Sequence, residues 1–302
     1  MPHADREIRT CAEPLTLWRR HDLMEFLHGG TLRSEIESGR LARLRVDPHI
    51  AKVLPSDRRV TVQPHDDVVV RVVTSAYHRY ASEPLFALDA VLEPFRGHCE
   101  PGAGRPPKRA DVLARLLELL GTPYLFGGTS ERGSPRQRQV LVELGAFEER
   151  DLDHPELDRI ARAHGIDCSG LLNAATEGFF IGDSRDTVHL GPVLDLREGT
   201  PPDEVARMLE PLDVIVWQGH MVIAMGDGRI IQSVGDGKNA QAFFAECGGA
   251  DSAWQRYNRV AIDDDRAILN ALQHRLGLTA SAHWPPKPDT YAILRCGKTF
   301  DR

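Results

Sequence analysis

A chain of 302 residues, 41% apolar and 27% charged, has the make-up of a globular protein of about two domains, which excludes a disordered, collagenous or fibrous chain. Its apolar runs are a few residues long and its net charge is −7 with scattered lysines and arginines, so neither a membrane nor a nucleic acid is an expected partner. Five cysteines (Cys11, Cys99, Cys168, Cys247, Cys296) lie far apart with no C-x-x-C pair, and His98-Cys99 and the dispersed acids lack ligand spacing. Free thiols are expected, with no metal and no cofactor. The opening MPHADREIRTC has two acids and no apolar h-region, which leads to an expectation of a cytoplasmic protein.

In chain order, Leu15, Trp18, Leu23, Phe26 and Leu27 suggest a helix ended by Gly29 and Gly30, and 32–44 a second one. After Pro55 the β-branched runs RVTV and DDVVVRVVT predict strands around the breakers Pro64, His65 and Asp66. Residues 1–100 thus read as an N-terminal domain of mixed α/β type. The segment 101–108, rich in proline and glycine, denies the backbone both helix and ladder bonds and is the expected linker. Val112, Leu113, Leu116, Leu117 and Leu120 then give an amphipathic helix over 110–120, stopped by Gly121.

The charged stretch 131–164 reads as an insertion, with a helix over 139–149, an acidic turn DLDHPELD and a short helix to His164. Three strands, 213–217, 220–225 and 229–234, separated by QG and GDG, form an antiparallel meander. Residues 251–302 read as a C-terminal extension, with an amphipathic helix over 264–276 and a proline-rich stretch at 284–288. A second domain would therefore span 109–250.

In GIDCSGLLNAA, Cys168 follows a glycine turn and precedes a helical run, which puts it at a helix N-terminus. Unpaired N–H groups and the helix dipole there favour an anion, and the reactive form of cysteine is the thiolate. An ordinary thiol is only about 3% ionised at pH 7 and the helix end contributes roughly 0.3–2 kcal/mol, so an imidazolium is also needed. The plain alternative is a small buried hydrophobe. His220 opens the strand HMVIAM, and Gln232 interrupts the apolar strand RIIQSV twelve residues later. A two-residue loop, Asp227-Gly228, turns Gln232 away from His220, whereas a three-residue loop, Gly226-Asp227-Gly228, sets Val222 opposite Gln232 and puts Gln232 diagonal to His220. Glycine at the third loop position favours the longer loop; the alternative for Gln232 is an edge residue facing water.

GTPYLFGGTS at 121–130, GIDCSGLLNAA at 165–175, PLDVIVW at 211–217 and HMVIAMGDGRIIQS at 220–233 resemble, in order and spacing, the NlpC/P60 cysteine peptidases. The resemblance implies an α+β, papain-like domain with a helix-borne cysteine packed on a small antiparallel sheet. It makes Cys168 the nucleophile, His220 the general base and Gln232 the residue that orients the imidazole. Tyr124 matches a tyrosine lining the site near the oxyanion, and Asp167 and Ser169 match substrate-holding positions, Asp167 for a free N-terminal amine. Helix capping is the alternative for Asp167 and Ser169, and packing for Tyr124. Gln232 departs from the family's usual His, Phe126 from its usual Trp, and 131–164 is a longer link that would overhang the cleft. The implied substrate is a murein peptide cut between γ-D-glutamate and a diamino acid, on soluble recycling fragments. Another amidase or acyl transfer by the same pair, or a non-catalytic binding module, are the other readings.

Overall fold

The computed structural model describes residues 7–19, 23, 25, 50–54, 58–73, 84–94, 105–235 and 259–301. The chain divides into two units, Met1–Ala103 with Leu125–Asp167 and Gly235–Gly237, and Gly104–Tyr124 with Cys168–Val234 and Lys238–Arg302. The expected insertion and its flanks group with the N-terminal region.

The first unit begins with β1 (Glu7–Cys11), β2 (Leu15–Trp18), β3 (Ile50–Leu54), β4 (Arg58–Pro64), β5 (Val69–Val73), β6 (Leu85–Leu88) and β7 (Glu93–Pro94). They form one antiparallel sheet in the order β3-β2-β6-β5-β4-β1-β7. The β-branched runs become β4 and β5 as expected. The helix expected from Leu15 and Trp18 is instead β2. All four of its side chains are buried and it pairs with strands on both sides, and a short fully buried strand has the same unbroken apolar run as a buried helix. Leu23 is helical, but the remainder of that pattern and the helix expected at 32–44 lie outside the described residues. The described residues among this unit's first hundred positions are chiefly strand, and the helix expected at 32–44 lies outside them.

Helix α1 (Arg109–Glu118) starts the second unit and ends at Gly121, whose φ of +82° suits glycine. The chain then returns to the first unit. There β8 (Thr129–Ser130) pairs with β9 (Gly165–Ile166), which joins the two ends of the excursion at its base. Within it lie α2 (Pro135–Glu143) and α3 (Pro155–Ala161). Helix α2 starts four residues before the expected 139 because Ser134 caps it, accepting from Gln137 N at 3.0 Å, and Pro135 takes the first turn, where its missing N–H costs nothing. It stops at Leu144 because Gly145 turns left-handed, with φ of +72°. The expected acidic turn DLDHPELD, 151–158, divides between a 3-10 helix, Glu149–Asp153, and the start of α3. Glu13 anchors the excursion to the N-terminal region, accepting from Ser134 Oγ at 2.7 Å and Arg136 N at 2.8 Å.

The second unit continues with α4 (Cys168–Ala175), α5 (Pro202–Met208), β10 (Asp213–Trp217), β11 (His220–Ala224), β12 (Arg229–Val234), β13 (Arg259–Asp264), α6 (Asp265–His274), β14 (Thr279–Ala280) and β15 (Thr290–Arg295). Strand order is β13-β12-β11-β10-β15-β14, antiparallel except for β14 with β15. The expected meander forms the sheet's middle. Residues 259–295 supply three further strands, so the region expected to be an appended extension completes the sheet. Ile215, Val222, Ile230 and Ile293 pack with Val205 of α5 and Ile268, Leu269 and Leu272 of α6 in one buried cluster. Asp264 caps α6 by accepting from Ala267 N at 2.9 Å. No helix among the described residues is long and apolar enough to cross a membrane.

Candidate active site

Cys168 is the first residue of α4, where the sequence placed it. Leu171, Leu172 and Ala175 are buried, and the helix packs against β11, β12 and α1. From α1, Arg115 reaches the far end of α4 and pairs with Glu177 at 2.8 Å. Cys168 is partly exposed, whereas Cys11 and Cys296 are buried, and all three remain thiols. Burial, reinforced by the Asp213 carboxylate, pushes the Cys296 thiol far up, which makes it a poor nucleophile. Ser169, next on α4, is buried.

His220 opens β11 directly after a tight turn whose second residue, Gly219, has φ of +85°. Its cross-strand partner is Trp217, and the two rings meet edge to face with centroids 4.9 Å apart. Beyond β11, Met225 N donates to Arg229 O at 2.8 Å around Gly226 and Gly228, both at positive φ. This is the three-residue loop. Carried one step beyond the pairs Ile223–Ile231 and Ala224–Ile230, this register sets Val222 opposite Gln232 and Gln232 diagonal to His220 on one face. The two side chains touch: His220 Nε2 and Gln232 Oε1 are 3.1 Å apart.

Gln232 is 1% exposed, and its amide nitrogen donates to Asp263 Oδ2 of β13 at 2.7 Å. Sequence reasoning missed Asp263. Its only local signal is the acidic run before α6, which reads as helix capping, a role that Asp264 fills. Tyr124 is half-buried and follows Pro123, which bridges to Arg259 of β13, while Gly121 and Thr122 exchange backbone bonds with Val260 at 2.9 and 2.8 Å.

Asp167 belongs to the first unit, where its carboxylate is engaged. It accepts from Lys52 Nζ at 3.0 Å and from Gly127 N at 3.0 Å, and Asp167 N donates to Gly128 O at 2.9 Å. The two glycines of PYLFGG have physical reasons: Gly127 sits at φ of +74°, and a Cβ on Gly128 would lie 2.3 Å from Gly165 O. Lys52 was also missed. Its signal is a lone charge inside the apolar strand IAKVL, and at 1% exposure it requires a partner.

Asp213, in the motif PLDVIVW, is buried at the start of β10. Burial pushes its carboxyl up to about 6, against the N–H of Glu210 at 2.9 Å and the guanidinium of Arg295 at 3.0 Å. Among the described residues no group of three or more acids, histidines and cysteines is arranged to hold a metal ion.

No protein-family profile matches the sequence, and no curated protein does either. Solved structures do. The peptidoglycan hydrolase RipB of Mycobacterium tuberculosis aligns at 18% identity and a TM-score of 0.31, over 68% of this chain and 74% of that one. An NlpC/P60 family protein from Bacillus cereus aligns at 14% identity and a TM-score of 0.30, over 86% of this chain and 58% of that one. NlpC1 from Trichomonas vaginalis aligns at 11% and 0.27, over 86% and 65%, so the chain spans less than two thirds of the length of the last two. The likeness is to NlpC/P60 proteins.

Proposed function

We propose that the chain is a papain-like cysteine peptidase of NlpC/P60 type that hydrolyses murein peptides at the amide between γ-D-glutamate and a diamino acid. The observation that carries this reading is the bond between His220 and Gln232, on two strands against which the Cys168-bearing helix packs. His220 Nδ1 takes the thiol proton and the Cys168 thiolate attacks the carbonyl carbon. Backbone N–H groups at the start of α4, with the Tyr124 hydroxyl, hold the oxyanion. The imidazolium gives its proton to the leaving amine as the C–N bond breaks. Water, deprotonated by His220, then cleaves the thioester, releasing the acid and restoring the thiol. Soluble wall-derived peptides in the cytoplasm are the substrate form we favour.

Incubation with L-Ala-γ-D-Glu-diaminopimelate is expected to release the diamino acid, and Cys168→Ala to abolish release by about a thousandfold or more. A bifunctional haloketone should also cross-link Cys168 to His220. Turnover retained in Cys168→Ala would sink the proposal, and absence of both turnover and cross-link would favour a binding module. The Lys52–Asp167 pair supports a second reading, an amide or acyl substrate without a free amine, because the carboxylate expected to take that amine already holds an ammonium.

A further inference from the structure

We propose that Asp263 is a positioning residue of this site: it holds the Gln232 amide in the orientation that makes His220 a base through Nδ1. The inference rests on the Cys168–His220 reading above. Gln232 pairs directly with Ala261 on β13 and, by register, with Val222 on β11. Asp263 and His220 each lie two residues from those partners, so the three polar side chains cross three adjacent strands diagonally on one face. Both links along the diagonal are hydrogen bonds, of 3.1 and 2.7 Å.

The chemistry of the donors fixes the direction of the chain. An ionised carboxylate only accepts, so the group that Gln232 turns to Asp263 is its NH2, and the group left for His220 is the carbonyl oxygen. A carbonyl oxygen also only accepts, so His220 Nε2 carries the hydrogen. The neutral ring then has its lone pair on Nδ1, and the imidazolium gains its proton there. A terminal amide has no intrinsic preference between its two ends. Without Asp263 the buried NH2 loses its acceptor, and turning the amide over would offer His220 a donor and the wrong tautomer.

Asp263 also adds a charge. Gln232 is neutral and by itself does little for an imidazolium, but a carboxylate on its far side polarises the amide and places a negative charge one residue behind it. Among the described residues, Asp264 and Asp265 follow Asp263 along the chain, and Arg229, the cross-strand partner of Asp264, pairs with Asp227 at 2.8 Å through Nε.

The test uses the full chain with 15N-labelled histidine. His220 of the wild type should show the Nε2–H tautomer, and Asp263→Ala should show a mixture or the Nδ1–H form. In parallel, alkylation of Cys168 by iodoacetamide, mapped by mass spectrometry across pH, should slow about tenfold near pH 6 in Asp263→Ala, because the imidazolium loses the negative charge behind Gln232. That loss should vanish in a Gln232→Glu background, where no NH2 remains to be oriented. Should Asp263→Ala fail to fold, Asp263→Asn carries the same expectation at smaller size. An unchanged tautomer and pH profile overturn the proposal, as does an equal loss in both backgrounds, which would mark Asp263 as support for the sheet alone. A wild-type Cys168 that titrates like an ordinary thiol would sink the nucleophile reading, while the tautomer measurement would still decide the role of Asp263.

Discussion

In the first unit Asp167 is closed against the ammonium of Lys52, on a strand that is otherwise apolar; in the second, Asp263 meets the NH2 of Gln232 and, through that amide, His220. Asp167 precedes Cys168 in the chain, whereas Asp263 reaches Gln232 only across neighbouring strands. A carboxylate paired with a cation is neutralised on the spot, and its pairing is structural. A carboxylate paired with an amide keeps its net charge and passes an orientation on. The contrast separates what a buried acid does for stability from what it does for a neighbouring base.

The largest expected effect comes from breaking the first arrangement. Lys52→Met leaves the Asp167 carboxylate buried beside Gly127 N–H without its cation, which should cost about 3–5 kcal/mol in urea unfolding. Lys52→Met with Asp167→Leu should recover most of that loss, because it removes the uncompensated charge as well. A single substitution that costs less than about 1 kcal/mol would show that the pair contributes little to the fold.

Asp213 sharpens the comparison as a third buried acid, one that burial overrides. Its folded-state pKa is raised from 3.8 to about 6, so the folded form holds the proton more tightly than the unfolded chain. The stability from that proton is fully present below the ordinary carboxylate range and is lost as pH rises through about 6. Asp213→Asn should therefore compare better with wild type at neutral pH than at about pH 4.5, by roughly 1–3 kcal/mol, read from urea midpoints. A difference that does not move with pH would remove Asp213 from the set.

The smallest effect concerns substrate. With Lys52 on Asp167, blocking the peptide's free amine by N-acetylation should change kcat/KM by less than about threefold, under 1 kcal/mol. A loss of a hundredfold would mean that the substrate amine displaces Lys52, and that Asp167 recognises it as the family resemblance implies.

How much of this was readable in advance follows from the range of each signal. Helices α1 and α6 and strands β4, β5 and β10–β12 carry their own periodicity, and their residues appear where the pattern puts them. So does Cys168 at the head of α4, because a glycine turn followed by a helical run is a local instruction. The loop 226–228 needed one step more, but glycine at its third position was enough to favour the register that joins His220 to Gln232. Strand β2 misled because four consecutive buried side chains have no period of their own. Helix α2 was displaced because its start is encoded in the Ser134-Pro135 cap rather than in its apolar spacing.

Along the chain, local pattern settled the identity of the nucleophile's helix, the strand that carries the imidazole and the hairpin that adds the glutamine. The partners of the two acids lay beyond its reach. Lys52 is 115 residues from Asp167 and Asp263 is 31 from Gln232, and no periodicity couples positions that far apart. Buried polar groups must find a counterpart or be lost to desolvation, but which counterpart is decided by the strands that folding lays side by side.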